Sequence, residues 1–121
     1  METEKIRILY LITDIGKGGA ERFLIDLCTE LHKNENVEFI IASLFENNQY
    51  KGLTKDFNIV HLNYKPFSIL KSNDYSAYEN ILNEFKPHIV HSHRYLAEFV
   101  SSFYVSKHIN YICHGHDNMI Q

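Results

Sequence analysis

Short apolar runs alternate with segments of helical periodicity along this 121-residue chain. The first run, "KIRILYLIT" at residues 5–13, is rich in Ile and Leu but has no helical stripe. That pattern is typical of a strand buried on both faces of a sheet. Comparable runs occur at residues 37–45, 58–62, 88–93 and 109–115. We therefore predict five strands.

Three segments between these runs have apolar residues at the spacing of a helix that packs one face against a core. The first of these helices begins at about Gly19 and ends near Asn34, the second covers Tyr75–Phe85, and the third covers Leu96–Phe103. Pro87 ends the second helix because a proline cannot continue the helical hydrogen-bond ladder. The order of elements is then β-α-β-β-α-β-α-β, with an undefined polar segment between the second and third strands.

This order is typical of a parallel sheet covered by helices on both faces. We predict an α/β fold of the Rossmann-like, doubly wound type, with strand order 3-2-1-4-5. The chain is long enough for one such domain and too short for two. In this topology the first and fourth strands are neighbours where the winding reverses, and ligands bind outside the carboxyl ends of the strands at that point.

Composition and charge exclude several classes of protein. Apolar residues make up 45% and charged residues 22% of the chain, as in ordinary soluble domains. The net charge of −3 argues against a general binder of nucleic acid. The runs are too short for a membrane span, and the mixed charges of "METEKIR" argue against a signal peptide. We expect a cytoplasmic protein in which Cys28 and Cys113 are separate buried thiols.

Three of the five glycines lie together in "GKGG", at residues 16–19, between the first strand and the first helix. The stretch is neither a P-loop nor a dinucleotide fingerprint, because Glu21 stands where the latter needs its third glycine. A glycine turn at a helix N-terminus nevertheless offers backbone amides to an anion such as a diphosphate. A tight turn without a ligand explains the same glycines equally well.

Six of the eight histidines lie between residues 88 and 116. His91 and His93 are two residues apart in a strand and therefore point to the same face. His114 and His116 repeat that spacing near the end of the next strand. Four such imidazoles could bind a metal ion such as zinc, could hydrogen-bond an organic ligand, or could be ordinary structural side chains.

Three stretches together resemble the N-terminal domain of family 4 glycosyltransferases, which have the GT-B fold. They are "GGAERFLIDLCTEL" after the first strand, "KPHIVHSH" at the fourth and "INYICHGHDN" at the fifth. The resemblance implies that residues 1–121 are an incomplete GT-B N-terminal domain, on the acceptor side of the enzyme. It also implies that the C-terminal nucleotide-binding domain is missing, so we expect this chain to be inactive by itself.

The resemblance implies roles for particular residues. Gly18 and Gly19 would contact the diphosphate of a nucleotide-sugar donor through their backbone amides. His114 would be the catalytic histidine that hydrogen-bonds the transferred sugar, and His93 and Arg94 would line the acceptor side. The implied reaction moves a sugar to a hydroxyl of a glycan or glycolipid, with retention and with no metal or other cofactor. It would depend on positioning and on stabilising the departing diphosphate.

The resemblance also implies a role in bacterial surface-polysaccharide or glycolipid synthesis, in which members of this family usually act. Lys65 and Lys71 flank "PFSIL", which leaves open a peripheral contact with the inner face of the membrane. Two other functions stay open. One is a metal-dependent hydrolase that uses the four histidines His91, His93, His114 and His116. The other is a non-catalytic Rossmann-like domain that binds a nucleotide or a partner.

Overall fold

A computed structural model of the chain describes residues 5–12, 15, 19–44, 48, 50–62, 76–93 and 107–114. Five strands and two helices lie within these ranges. The strands are β1 (Ile6–Ile12), β2 (Val37–Ser43), β3 (Ile59–His61), β4 (Ile89–His93) and β5 (Asn110–His114). The helices are α1 (Gly19–Leu31) and α2 (Ser76–Phe85). Neither of these two helices has the length and apolar character that a membrane span requires.

The strands form one sheet in the order β3-β2-β1-β4-β5, and each neighbouring pair is parallel. β1 occupies the centre, where Ile12 pairs with Ser43 of β2 on one side and with His93 of β4 on the other. The chain builds outward from β1 through β2 and β3, then crosses back to place β4 on the opposite side. The predicted Rossmann-like α/β fold and its strand order are confirmed.

Helix α1 covers one face of the sheet. Side chains alternate along a strand, so Tyr10 and Ile12 of β1 point to the same side. They pack in one cluster with Leu24, Ile25 and Cys28 of α1, all of which are buried. The apolar residues of α1 recur at intervals of three and four, which places them along the single stripe that faces the sheet.

Helix α2 packs against the cluster on the opposite face. Leu9 and Leu11, which alternate with the residues just named, pack there with Val90 of β4 and Tyr78 of α2. The side chain of Tyr78 is completely buried and is the largest of the fully buried side chains among the residues that the structure describes. Each face of the sheet therefore has its own core and its own helix, as in a doubly wound fold.

The ends of the helices differ slightly from the sequence-based expectation. α1 ends at Leu31, and a turn closed by the bond from the N–H of Asn34 to the carbonyl oxygen of Leu31, at 2.9 Å, follows it. α2 ends before Pro87, as predicted, with Lys86 in the left-handed region at φ 52°. The predicted helix over 96–103 lies outside the described residues.

Candidate functional site

The carboxyl edge of the sheet brings together the ends of β1, β4 and β5. Ile12 pairs with His93, and His93 pairs with His114, each of which is the last residue of its strand. α1 begins at Gly19, after the connection that leaves β1 at this edge. Because the strand order reverses between β1 and β4, this edge is the topological switch point of the sheet.

His91 and His93 form a compact ring cluster with Tyr10 below this edge. The two imidazole centroids are 4.3 Å apart, and the Tyr10 ring lies 5.5 Å from that of His91 and 6.1 Å from that of His93. His93 is completely buried, whereas His91 is half-buried. Burial, and to a lesser degree the Cys28 thiol, raises the pKa of the Tyr10 hydroxyl above its ordinary value. Tyr10 therefore stays neutral and can act as a hydrogen-bond donor at any physiological pH.

Glu21, in the first turn of α1, is almost completely buried on the sheet side of the helix. A carboxylate at this position interacts favourably with the positive end of the helix dipole. The sequence signal for this burial is the position of Glu21, one helical turn before Leu24 and Ile25 on the stripe of α1 that faces the sheet.

The segment that follows β2 returns to the connection between β1 and α1. Ile15, in that connection, forms a parallel backbone bridge with Asn48. Asn48 accepts at Oδ1 from the N–H of Tyr50 at 2.8 Å and donates from Nδ2 to Oγ1 of Thr54 at 3.0 Å. Thr54 donates from Oγ1 to the carbonyl oxygen of Tyr50 at 2.9 Å. These hydrogen bonds form an ordered turn around Tyr50, next to the connection between β1 and α1.

Sequence reasoning missed this turn because it left the polar segment between the second and third strands undefined. The signal that could have found it is the Asn at position 48, whose side chain accepts a hydrogen bond from the backbone two residues further on. Asn and Asp side chains commonly order turns in this way. The backbone bridge to Ile15 has no comparable signal in the sequence.

Three of the predicted site residues, Gly19, His93 and His114, have a described backbone position at the carboxyl edge, and others do not. His93 lies at the end of β4, and Gly19 begins α1, both at the carboxyl edge. The backbone of His114 lies beside His93, as the last residue of β5. The remaining predicted site positions, Gly18, Arg94 and His116, lie outside the described residues. In the described part of the chain, no three His, Cys, Asp or Glu side chains are arranged to hold a metal ion.

A separate groove of about 1200 Å³ lies at the opposite, amino-terminal edge of the sheet. Its lining includes Lys5, Arg7, His32, Glu38 and Asp56. These side chains carry both signs of charge, and most of them are exposed. The groove therefore selects no particular ligand chemistry, and the switch point is the better candidate site.

Comparisons with known proteins give one partial relative. Over 80 residues, which is 62% of this chain, the sequence is 31% identical to Lamassu protein LmuB of Bacillus cereus (strain VD014). The matched segment spans 14% of that protein, so the chain covers only about a seventh of its length. No protein-family model matches the chain. No solved structure matches it either.

These comparisons overturn the assignment to family 4 glycosyltransferases, which is wrong. No family model matches the three stretches on which the resemblance was based, and the relative found is a Lamassu protein rather than a glycosyltransferase. The observed sheet order is shared by Rossmann-like folds in general, which carry many unrelated functions. The fold prediction stands, whereas the description of the chain as an incomplete GT-B domain loses its basis.

Proposed function

We propose that this domain binds a small phosphate-bearing molecule, of the size of a nucleotide, at the carboxyl edge between β1 and β4. The observation that carries the proposal is the switch point itself, where β1 and β4 end side by side and α1 begins. In open α/β sheets the crevice outside this point is the usual ligand site. The sequence left three functions open: sugar transfer, metal-dependent hydrolysis and ligand binding without catalysis. Ligand binding requires the fewest residues outside the described ranges.

Two further features support a phosphate in that crevice. The amides of the first turn of α1 have no carbonyl partners within the helix, and the helix dipole adds positive potential there. The buried ring cluster of Tyr10, His91 and His93 supplies polar groups directly beneath the edge. The N-terminal end of α1 therefore suits an anionic group of the ligand, and the ring cluster suits a polar part of the same molecule.

The direct test is a titration of the ¹⁵N-labelled chain with UDP, GDP, UDP-glucose and inorganic diphosphate, followed by amide chemical shifts. We expect selective shifts at Gly19 and His93 with the nucleotides. Two variants sharpen the result, since Gly19→Ala and Gly19→Pro both add a Cβ at the first helical position, but only the proline removes the N–H. We expect weaker binding in Gly19→Pro than in Gly19→Ala.

The titration also separates the alternatives. An absence of shifts at the carboxyl edge with all four phosphates would overturn the proposal. If zinc instead moves the signals of His91 and His93 in slow exchange, the metal-dependent function takes its place. Sugar transfer to a glycan or glycolipid stays an untested prediction, because its support was the family resemblance. A transfer assay with a longer protein that contains this segment would test it.

A further inference from the structure

Two imidazoles of β4, the histidine pair His91 and His93, lie in contact on the face of the sheet that α1 covers. Their ring centroids are 4.3 Å apart and their planes are inclined by only 32°, so the rings are nearly stacked. In β1, Tyr10 and Ile12 pair with them. His93 is completely buried. A proton added to either ring therefore places a positive charge in a poorly hydrated site, next to the second imidazole.

The groups that face the histidine pair from the packed elements offer little negative charge. Burial raises the pKa of the Tyr10 hydroxyl of β1 and raises that of the Cys28 thiol of α1 to about 12, so both are uncharged near neutral pH. On β5, Ile112 and His114 occupy the positions that pair with the two histidines. Glu21 is the one carboxylate on the described, sheet-facing stripe of α1. One carboxylate can balance one imidazolium, but not two.

The folded and unfolded chains therefore differ in how many protons the histidine pair accepts. Like charges in contact disfavour the second proton, so the folded pair titrates as one unit. In the unfolded chain, each imidazole takes up its own proton near a pH of about 6.5. The unfolded chain then binds at least one proton more than the folded domain. Stability rises with pH wherever the unfolded state binds more protons, so it falls as the medium becomes acidic.

We propose that the histidine pair is a pH-sensitive switch, which keeps β4 packed against α1 near neutral pH and destabilises that packing in mild acid. The pair lies in the carboxyl half of β4, so acid acts on the part of the sheet that borders the crevice. The switch needs no ligand and is independent of the proposed function.

Urea unfolding at a series of pH values between about 7.5 and 5 measures the difference in proton binding. We expect the unfolding constant of the parent chain to rise with acidity. In His91→Gln, which leaves one imidazole and no like-charge contact, the rise should be smaller by about tenfold for each pH unit below about 5.5, which corresponds to one proton. His108→Gln is the matched control, because it removes an exposed imidazole just before β5 and should keep the parent slope.

Equal slopes for the parent chain and His91→Gln would overturn the proposal, and so would an equal reduction of the slope in His108→Gln. If His91→Gln does not fold, the parent chain decides by itself, because the imidazole Cε1–H signals in NMR report protonation of each ring. We expect His91 and His93 to take up only one proton between them down to a pH of about 5.5. Complete and independent titration of both rings near pH 6.5, as in a free imidazole, would refute the switch.

Discussion

The backbone N–H of Arg7 donates a hydrogen bond to Nδ1 of His88 at 2.9 Å, across 81 positions of sequence. The N–H of His88 donates in return to the carbonyl oxygen of Arg7 at 2.8 Å. The imidazole therefore takes the place of a backbone carbonyl and extends the pairing of β1 with β4 by one step. Nε of Arg7 also donates to the carbonyl oxygen of Lys86 at 2.8 Å, so the residues just before β4 are fastened to β1.

We expect His88→Leu to destabilise the domain by about 1 kcal/mol, because the N–H of Arg7 loses its acceptor in a partly buried position. His88→Asn is the matched control, since its side-chain oxygen can replace Nδ1 and should restore most of the loss. Urea unfolding followed by circular dichroism measures the difference. Equal midpoints for His88→Leu and the parent chain would show that this bond contributes nothing to stability.

The left-handed backbone of Lys86 offers a stabilising substitution. Its φ of 52° is unfavourable for a side chain with a Cβ but costs a glycine little. We expect Lys86→Gly to raise the free energy of unfolding by about 0.5–1 kcal/mol. Lys86→Ala keeps the Cβ and should give no such gain. If both variants raise the unfolding midpoint equally, the gain comes from loss of the lysine charge and not from relief of the backbone.

The thiol of Cys28 should be inert in the folded protein. Burial raises its pKa from 9.0 to about 12, which lowers its thiolate fraction at pH 8 roughly a thousandfold. In a Cys113→Ser background, we expect very slow modification of Cys28 by a thiol reagent until urea unfolds the chain. Rapid reaction without denaturant would mean that α1 opens readily from the sheet.

The same shift predicts a loss of stability in alkali. A thiol whose folded pKa is raised contributes fully below its unfolded pKa, and the contribution declines as the pH rises from about 9 towards 12. Cys28→Val removes this thiol while keeping an apolar side chain in the cluster. We expect the unfolding free energy of Cys28→Val to fall less steeply over that interval than that of the parent chain. Parallel profiles for the two proteins would contradict the assignment.

Thr54 should stabilise the hydrogen-bonded turn around Tyr50 more than it stabilises the core. Its Oγ1 joins Asn48 to the carbonyl oxygen of Tyr50, and the residue is only 3% exposed. We expect Thr54→Val, which preserves the shape but loses the hydroxyl, to cost about 1–2 kcal/mol. The amides of residues 48–54 should also exchange faster with deuterium in this variant. Unchanged exchange in that segment would indicate that the bridge of Asn48 to Ile15 suffices to order it.

The sequence determined the architecture because that information is local and repeats along the chain. Apolar runs without helical periodicity indicated strands, and apolar residues spaced three and four positions apart indicated helices. The alternation of strands and helices along the chain permits few topologies. The order β3-β2-β1-β4-β5 and the end of α2 before Pro87 followed from those patterns. The start of α1 after the carboxyl end of β1 followed from the same order.

Only the tertiary structure decided which side chains meet. The contact of His91 and His93 with Tyr10 depends on the register of β4 against β1, and a shift of one residue would turn these histidines to the other face. The bridge of Asn48 to Ile15 likewise joins segments that share no sequence pattern. Such contacts depend on strand register and on where the chain folds back, both of which are set by packing of the whole domain. No local sequence motif therefore predicts them.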